Sequence, residues 1–522
     1  GRDVNQKIKK NVAIYGAGSS GLQFMDALTS NSNYRVCQFI DDNPELQGQT
    51  IAGIKVESFD KAKDKFKNLE INVLLITISS GAEKIRQRLL DILSNYDIEI
   101  KTIPSISSLI SEKSNNIKLK DLNIEDLLGR EPVCPDPILM SQNITNKTVL
   151  VTGAGGSIGS ELCRQIAQWK PLRLILIDIS EYGIYSLLNE FNEEGLNKSI
   201  ELLPLIGCVK DEAFIKKAMT KFSVETVYHA AAYKHVPLME QNVIQCVKNN
   251  VFGTLNMAKI SIQCNVKNFI LVSTDKAVNP SNFMGASKRL AEIICQTLPS
   301  KKAKTRFSIV RFGNVLGSSG SVVPLFKSQI NKGGPITLTH QEVTRYFMTI
   351  PEAAQLLIQA SSMEHDEGIY VLDMGNPIKI LDLAKKMLTL SGFEPVMGDH
   401  KQLKVNEIAI ITIGLRPGEK LYEELSYGPN LSGTSHPRIM VTNEEPISKE
   451  ELKLILTKIQ SATDNYDYYE LFKVASYFFK GLVNFENSKD IFLNYWDKSD
   501  SVVPIVFKNK KLLQKNNNFS QT

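Results

Sequence analysis

Thr274-Asp275-Lys276 follow the apolar run NFILVS and carry the most legible chemistry in this sequence. A carboxyl beside an amine can work as a general acid and a general base, because burial and neighbouring charge move both pKa values toward neutrality. Without burial the same two residues would form a surface ion pair worth under ~1 kcal/mol. Shortly after comes SNFMGASKR, residues 281–289, with Lys288 one helical turn beyond Met284. Lys288 can bind hydroxyls and add positive charge. A thioether can neither give nor take a proton, so Met284 reads as apolar packing that shapes a pocket.

These side chains need elements to hold them. NFILVS reads as a buried parallel strand, and ligands of doubly wound sheets lie at the carboxyl ends of strands. Further apolar runs recur at LILIDI (174–179), TVYHAAA (226–232) and RFSIVRFG (306–313). Helix-length segments such as Glu161–Trp169 and Asp211–Phe222 lie between them. An earlier region repeats the grammar with VCQFI (36–40) and VLLITI (73–78). Strands alternating with helices predict an α/β chain of two Rossmann-like doubly wound parallel-sheet domains, and the alternation weakens after about residue 330, which leaves the second with a smaller C-terminal portion. The expected limits are 1–104 for the first domain, 105–141 for a partly ordered linker rich in Ser, Asn, Lys and Pro, and 142–440 for the catalytic domain. A helical segment at 441–507 and a frayed tail at 508–522 complete the chain. PEAAQLLIQASSM (351–363) reads as an amphipathic helix.

Each domain opens on a glycine cluster. In TGAGGSIG, Gly153 permits a tight turn, Gly156 lets backbone approach a pyrophosphate, and Gly159 lets helix and strand pack closely. Ser157 and Ile158 open the helix, whose N-terminus favours phosphate. Asp178 ends the next strand, where an acid accepts from a ribose 2′-hydroxyl and repels a 2′-phosphate. No Arg lies between 174 and 200, so the inferred cofactor is NAD rather than NADP. Val209 frames the adenine, and Ala230, Ala231 and Ala232 let backbone approach the nicotinamide half. In the first domain Gly16, Gly18 and Gly21 precede Asp41 and Asp42. Whether that cluster binds a nucleotide or only supports assembly stays open.

Composition bounds the alternatives. The chain has 522 residues, 43% hydrophobic and 22% charged, with a net charge of +5. No basic stripe or aromatic platform suggests nucleic acid. Seven cysteines without a CxxC suggest reduced thiols rather than disulfides, and no metal site is expected. No apolar run is long enough to span a membrane.

TGAGGSIGSEL, HAAAYKHVPLME (229–240), STDKAVNPSNFMGASKR (273–289), RFGNVLGSSGSVVP (311–324) and LRPGEKLYEEL (415–425) occur in one order. Together they resemble the nucleotide-sugar 4,6-dehydratases acting on UDP-N-acetylglucosamine, extended short-chain dehydrogenases of bacterial polysaccharide biosynthesis. The resemblance spans about residues 120–440. It implies a redox-neutral reaction in which NAD takes a hydride from C4 and returns it to C6 while water leaves across C5 and C6. It implies Asp275 as acid at the C6 hydroxyl and Lys276 as base at C5. Met284 stands where the superfamily places tyrosine, so Thr274 is expected to bond the C4 hydroxyl, with Asp275 or a water taking its proton. Lys288 is expected at the nicotinamide ribose. Lys234 and His235 are expected near the sugar, and Asn314 at the UDP-sugar. Arg345 and Arg416 are expected at the pyrophosphate, and Glu419 at the uridine ribose. Asn250 reads as bonding backbone near the site or as a cap. Large members carry an extra Rossmann-like domain and a membrane anchor. The chain is therefore expected to be a cytoplasmic domain, free or belonging to an inner-membrane protein, and a homo-oligomer. By analogy the active-site helix suggests a helix-packed dimer. A UDP-sugar 4-epimerase and a silent NAD- or UDP-sugar-binding protein are the alternatives.

Overall fold

The structure is a computed structural model. It describes residues 10–18, 21–22, 24–25, 28, 34–66, 68–77, 89, 93, 98–102, 120–121, 133–196, 199–300, 303–363, 368–391, 393–399, 403–404, 407–427, 431–482 and 487–494. Most of the expected linker, including nearly all of IEDLLGREPV, and the tail 508–522 lie outside these residues. The chain divides into two compact units, one of residues 1–131, 326–336 and 382–411, the other of 132–325, 337–381 and 412–522. Among the described residues no helix is long and apolar enough to cross a membrane.

The first unit holds a seven-stranded sheet. Its strands are β1 (Lys10–Tyr15), β2 (Tyr34–Ile40), β3 (Thr50–Ile51), β4 (Ile54–Glu57), β5 (Ile71–Ile76), β6 (Glu99–Thr102) and β7 (Lys120–Asp121), in the order β3-β4-β2-β1-β5-β6-β7. The central strands run parallel, and β3 and β7 add antiparallel edges. β1 and β5 bury side chains on both faces, as continuous apolar runs require. At the end of β1 a Cβ on Gly21 would stand 1.9 Å from the Gly16 carbonyl oxygen. Asp41 accepts from the Ala17 amide at 2.7 Å.

The second unit is built on nine strands: β8 (Thr148–Thr152), β9 (Arg173–Asp178), β10 (Glu201–Ile206), β11 (Thr226–His229), β12 (Asn268–Val272), β13 (Arg306–Arg311), β14 (Ile369–Leu372), β15 (Leu431–Gly433) and β16 (Ile439–Thr442). Their order is β10-β9-β8-β11-β12-β13-β14-β16-β15. The first seven are parallel, and the last two are antiparallel additions. Strand order reverses between β8 and β11, which opens a crevice at their carboxyl ends. The run TVYHAAA leaves the sheet after His229, because Ala230–Ala232 must pass the glycine loop. A Cβ on Gly153 would lie 2.8 Å from the Ala231 nitrogen.

Helix α1 (Ser157–Gln168) starts from the glycine loop, and α2 (Glu212–Phe222) is capped by Asp211, which accepts from the Phe214 amide at 3.0 Å. The remaining helices used below are α3 (Gly253–Gln263), α4 (Phe283–Thr297), α5 (Ile350–Ser362), α6 (Lys449–Asp464) and α7 (Tyr468–Phe478). α5 covers the segment read as amphipathic. Asn282 caps α4 by accepting from the Gly285 amide at 2.8 Å. Phe283, Ala286, Leu290 and Ile294 on α4 pack into one core with Ile455 and Ile459 of α6 and Leu471 and Phe472 of α7. This face of α4 is thus covered by the chain's own C-terminal helices.

Candidate active site

The loop after β12 is fixed from both sides. Ser273 donates its amide to the Val310 carbonyl at 2.8 Å and its hydroxyl to Glu292 at 2.6 Å. The Asp275 amide reaches the Phe312 carbonyl at 3.1 Å. α4 presses on the same loop, since a Cβ on Gly285 would stand 2.3 Å from the Lys276 carbonyl oxygen. Glycine is therefore needed where the helix bearing Met284 and Lys288 meets the loop bearing Asp275 and Lys276.

Within the loop the Thr274 hydroxyl donates to Asp275 Oδ1 at 2.9 Å. Lys276 Nζ donates to the same oxygen at 3.0 Å and to Asn314 Oδ1 at 3.3 Å. Asp275 is 0% exposed, and its Oδ2 has no hydrogen-bond partner. Burial by itself would lower the Lys276 pKa, but the carboxylates of Asp275 and Glu423 outweigh it and hold the pKa above the ordinary lysine value. The expected drift of both groups toward neutrality is thus not met for Lys276, because two acids face one amine. Asn314, expected at the UDP-sugar, stands beside Lys276.

Lys288 is buried on α4 and donates to the Val272 carbonyl at 2.6 Å. Burial lowers its pKa to about 8. Met284 packs with Met239 and Cys246, flanked by Tyr233 and Val236, which is the apolar role read from sequence. Asn250, fully inside the helical turn 248–252, accepts from the Tyr233 amide at 2.8 Å and donates to its carbonyl at 2.9 Å. It also donates to the Ser287 hydroxyl at 2.9 Å, so it ties the 230–235 loop to α4 and is no cap.

The crevice beside β8 has the construction a dinucleotide needs. Gly153 sits at φ +69°, a backbone region that favours glycine, and a Cβ on Gly159 would stand 1.9 Å from the Gly153 oxygen. Gly156 precedes α1, so the first amides of that helix, at Ser157 and Ile158, lack intrahelical acceptors. Asp178 accepts from the Gly155 amide at 2.9 Å and the Ser180 amide at 2.8 Å. Its carboxylate keeps acceptor sites beyond those two. Val209 is buried at the end of the neighbouring strand, and its carbonyl takes a hydrogen bond from Asn256 at 2.7 Å. His229, absent from the sequence reading, bridges the Thr152 hydroxyl at 2.8 Å and the Thr254 hydroxyl at 3.0 Å. Burial, with Lys288 nearby, lowers its pKa to about 3, so the imidazole is neutral. These residues fit NAD. Replacing Asp178 by Ala is expected to weaken NAD binding roughly 10- to 100-fold, the worth of hydrogen bonds to a charged group. It should narrow the preference over NADP. Calorimetric titration with both cofactors checks this, and unchanged affinities would remove Asp178 from the site.

The substrate candidates divide. Lys234 and His235 are exposed, and the His235 ring lies against Gly320, where a Cβ would come within 2.4 Å of it. Arg416 is exposed. Arg345 is buried and engaged: it donates to the carbonyls of Thr344 at 2.7 Å, Leu421 at 3.2 Å and Lys420 at 2.9 Å, and pairs with Glu419 at 3.2 Å. A buried guanidinium must satisfy its donors, and here the Thr344 carbonyl and the 419–421 turn engage both terminal nitrogens. Arg345 therefore anchors that turn, whereas Arg416 is open to solvent. Glu419 accepts from Thr339 at 2.9 Å and from the Arg416 amide at 3.2 Å besides Arg345.

Sequence reasoning missed the charges under the loop. Arg311, with side-chain exposure of 0%, binds Glu292 at 2.6 and 2.7 Å and Glu444 at 2.6 and 3.0 Å. Arg289 joins both acids at 2.9 and 2.8 Å. Only the arginine in RFGN hinted at it, since a charge ending an apolar strand has to be paired.

A family model described as polysaccharide biosynthesis protein matches residues 149–444. A model described as CoA binding domain matches residues 7–101. The capsular polysaccharide biosynthesis protein CapD of Staphylococcus aureus is 41% identical over 473 residues, covering 90% of this chain and 77% of that protein. An inverting UDP-N-acetylglucosamine 4,6-dehydratase of Campylobacter jejuni is 32% identical over 282 residues, 53% of this chain and 76% of that one. A UDP-glucose 4-epimerase of Rickettsia massiliae is 34% identical over 285 residues, 54% and 77% respectively.

Proposed function

Because this chain belongs to the polysaccharide biosynthesis protein family, whose relatives include nucleotide-sugar dehydratases and epimerases, we propose that it is an NAD-dependent UDP-N-acetylglucosamine 4,6-dehydratase. Its product is a UDP-4-keto-6-deoxy-N-acetylhexosamine. The observation that carries this reading is the buried Asp275 carboxylate between half-buried Thr274 and Lys276, which donate to one of its oxygens at 2.9 and 3.0 Å.

NAD supplies the hydride acceptor for C4 and the donor for C6. The chain's own residues move the protons. Thr274 bonds the C4 hydroxyl and passes its proton to Asp275, to which its own hydroxyl already donates. Lys276, in its neutral form, removes the C5 proton that the C4 ketone has made acidic. Asp275 returns its proton to the C6 hydroxyl, which leaves as water. Lys276 then gives its proton back to C5, so both groups end as they began. Met284 keeps the pocket apolar, and Lys288 binds nicotinamide ribose hydroxyls.

An epimerase needs proton transfer at C4 alone, so a buried acid paired with a half-buried amine favours dehydration. The test is proton NMR of the purified chain with UDP-N-acetylglucosamine in deuterated water. A new C6 methyl signal with deuterium at C5 is the expected result. A C4 epimer without a methyl signal would replace this reading by epimerisation. Bound NAD with no product from any close UDP-sugar would replace it by a silent binder.

A further inference from the structure

We propose that Glu423, which the sequence reading left unassigned, is the positioning residue for Lys276, setting where its amine sits and how tightly it holds a proton. Glu423 comes from LYEEL, far along the chain from the catalytic loop. It is 8% exposed, and its Oε1 lies 3.6 Å from Lys276 Nζ and 3.9 Å from Arg345 Nε. Its Oε2 is buried without a hydrogen-bond partner, as is Asp275 Oδ2.

A carboxylate held in the interior with an unused acceptor is costly, and a merely structural anchor for Arg345 would not require it. Arg345 already has Glu419 as a closer acid, at 3.2 Å. The groups that face the Lys276 amine are Asp275, Glu423, the neutral Asn314 side chain and the opposing cation Arg345. Two acids against one nearby cation leave the amine with a strong hold on its proton. A stronger proton hold makes the neutral amine a stronger base toward C5, while fewer molecules carry the amine in neutral form at a given pH. Glu423 acts on this balance through Lys276.

The consequence for turnover rests on the dehydratase reading, so the test has one readout that does not. In the full chain, acylation of Lys276 by an amine-directed reagent is followed across pH by peptide mass spectrometry, in wild type and Glu423→Gln. An opposite charge within this range moves a pKa by at least about one unit. The labelling midpoint of Glu423→Gln is expected to fall by about one pH unit, and Glu423→Asp is expected to recover part of the difference. The acidic limb of the pH profile for methyl formation should move the same way, with KM little changed. An unmoved labelling midpoint overturns the proposal whatever the reaction proves to be. A uniform fall in rate at every pH, with no shift of the limb, overturns it equally and leaves Glu423 as a structural anchor. A shifted midpoint in a protein that makes no methyl product would sustain Glu423 and sink the dehydratase reading alone.

Discussion

Asp275→Asn should lower kcat for sugar dehydration about 10²- to 10⁴-fold, the usual worth of a positioned proton donor and acceptor. The amide keeps the shape and can still accept from Thr274 and Lys276, so the loop geometry is retained. It can neither take the C4 proton nor return one to the C6 hydroxyl. Two steps therefore lose their proton carrier at once. NAD binding should be unchanged, because the cradle is built on β8, β9 and α1, apart from this loop. The check is the rate of C6 methyl formation by NMR, with NAD content measured on the same sample. A loss of less than about tenfold would show that Asp275 is not the proton carrier and would pass that role to a water or to Glu423.

The second large effect is on stability. Arg311→Leu should destabilise the second unit by about 3–5 kcal/mol, because it strands Glu292 and Glu444 as buried carboxylates with Arg289 as their remaining cation. For a unit of this size that is a fall in Tm on the order of ten degrees. Arg311→Lys keeps the charge but cannot bind both acids in a fork, and should lie between the two. Burial would raise the Glu292 pKa, but Arg311 outweighs it and holds the pKa below 4.5. That contribution is therefore present above about pH 4.5 and is lost as pH falls through the lowered value. Wild type and Arg311→Leu should converge in acid and diverge near neutrality. Thermal unfolding across pH checks this, and a constant gap between the two would assign the effect to lost packing. Below the melting transition kcat should also fall, since Ser273 at the root of the catalytic loop hangs on Glu292.

Both expectations link a local reading to a distant partner, and the sequence served them unequally. The glycine spacing of 153–159 and the acid at 178 were legible because their constraint is local. A turn, a helix start and the next strand end lie within one β-α-β stretch, and each residue type follows from backbone geometry. Met284 was legible for the same reason, since its chemistry excludes proton transfer wherever it sits. The Thr274–Asp275–Lys276 cluster was legible because its members are adjacent and follow a buried strand. The parallel sheet was legible because strands buried on both faces must read as continuous apolar runs.

What the sequence could not supply came from partners far apart in the chain. Arg345 read as a phosphate ligand, because a guanidinium fits phosphate, but the Thr344 carbonyl and the 419–421 turn engage both of its terminal nitrogens. Glu423 read as one of two acids in LYEEL until the fold set it beside Lys276 and raised that amine's hold on its proton. The packing of α6 and α7 over one face of α4 was not read from the sequence at all. The sequence by itself determined the sheet class, the dinucleotide cradle and the candidate acid–base loop, since near neighbours and periodicity specify them. Only the tertiary structure decided which charges meet, because the strength of a charge pair depends on distance and burial, and neither is written in the order of residues.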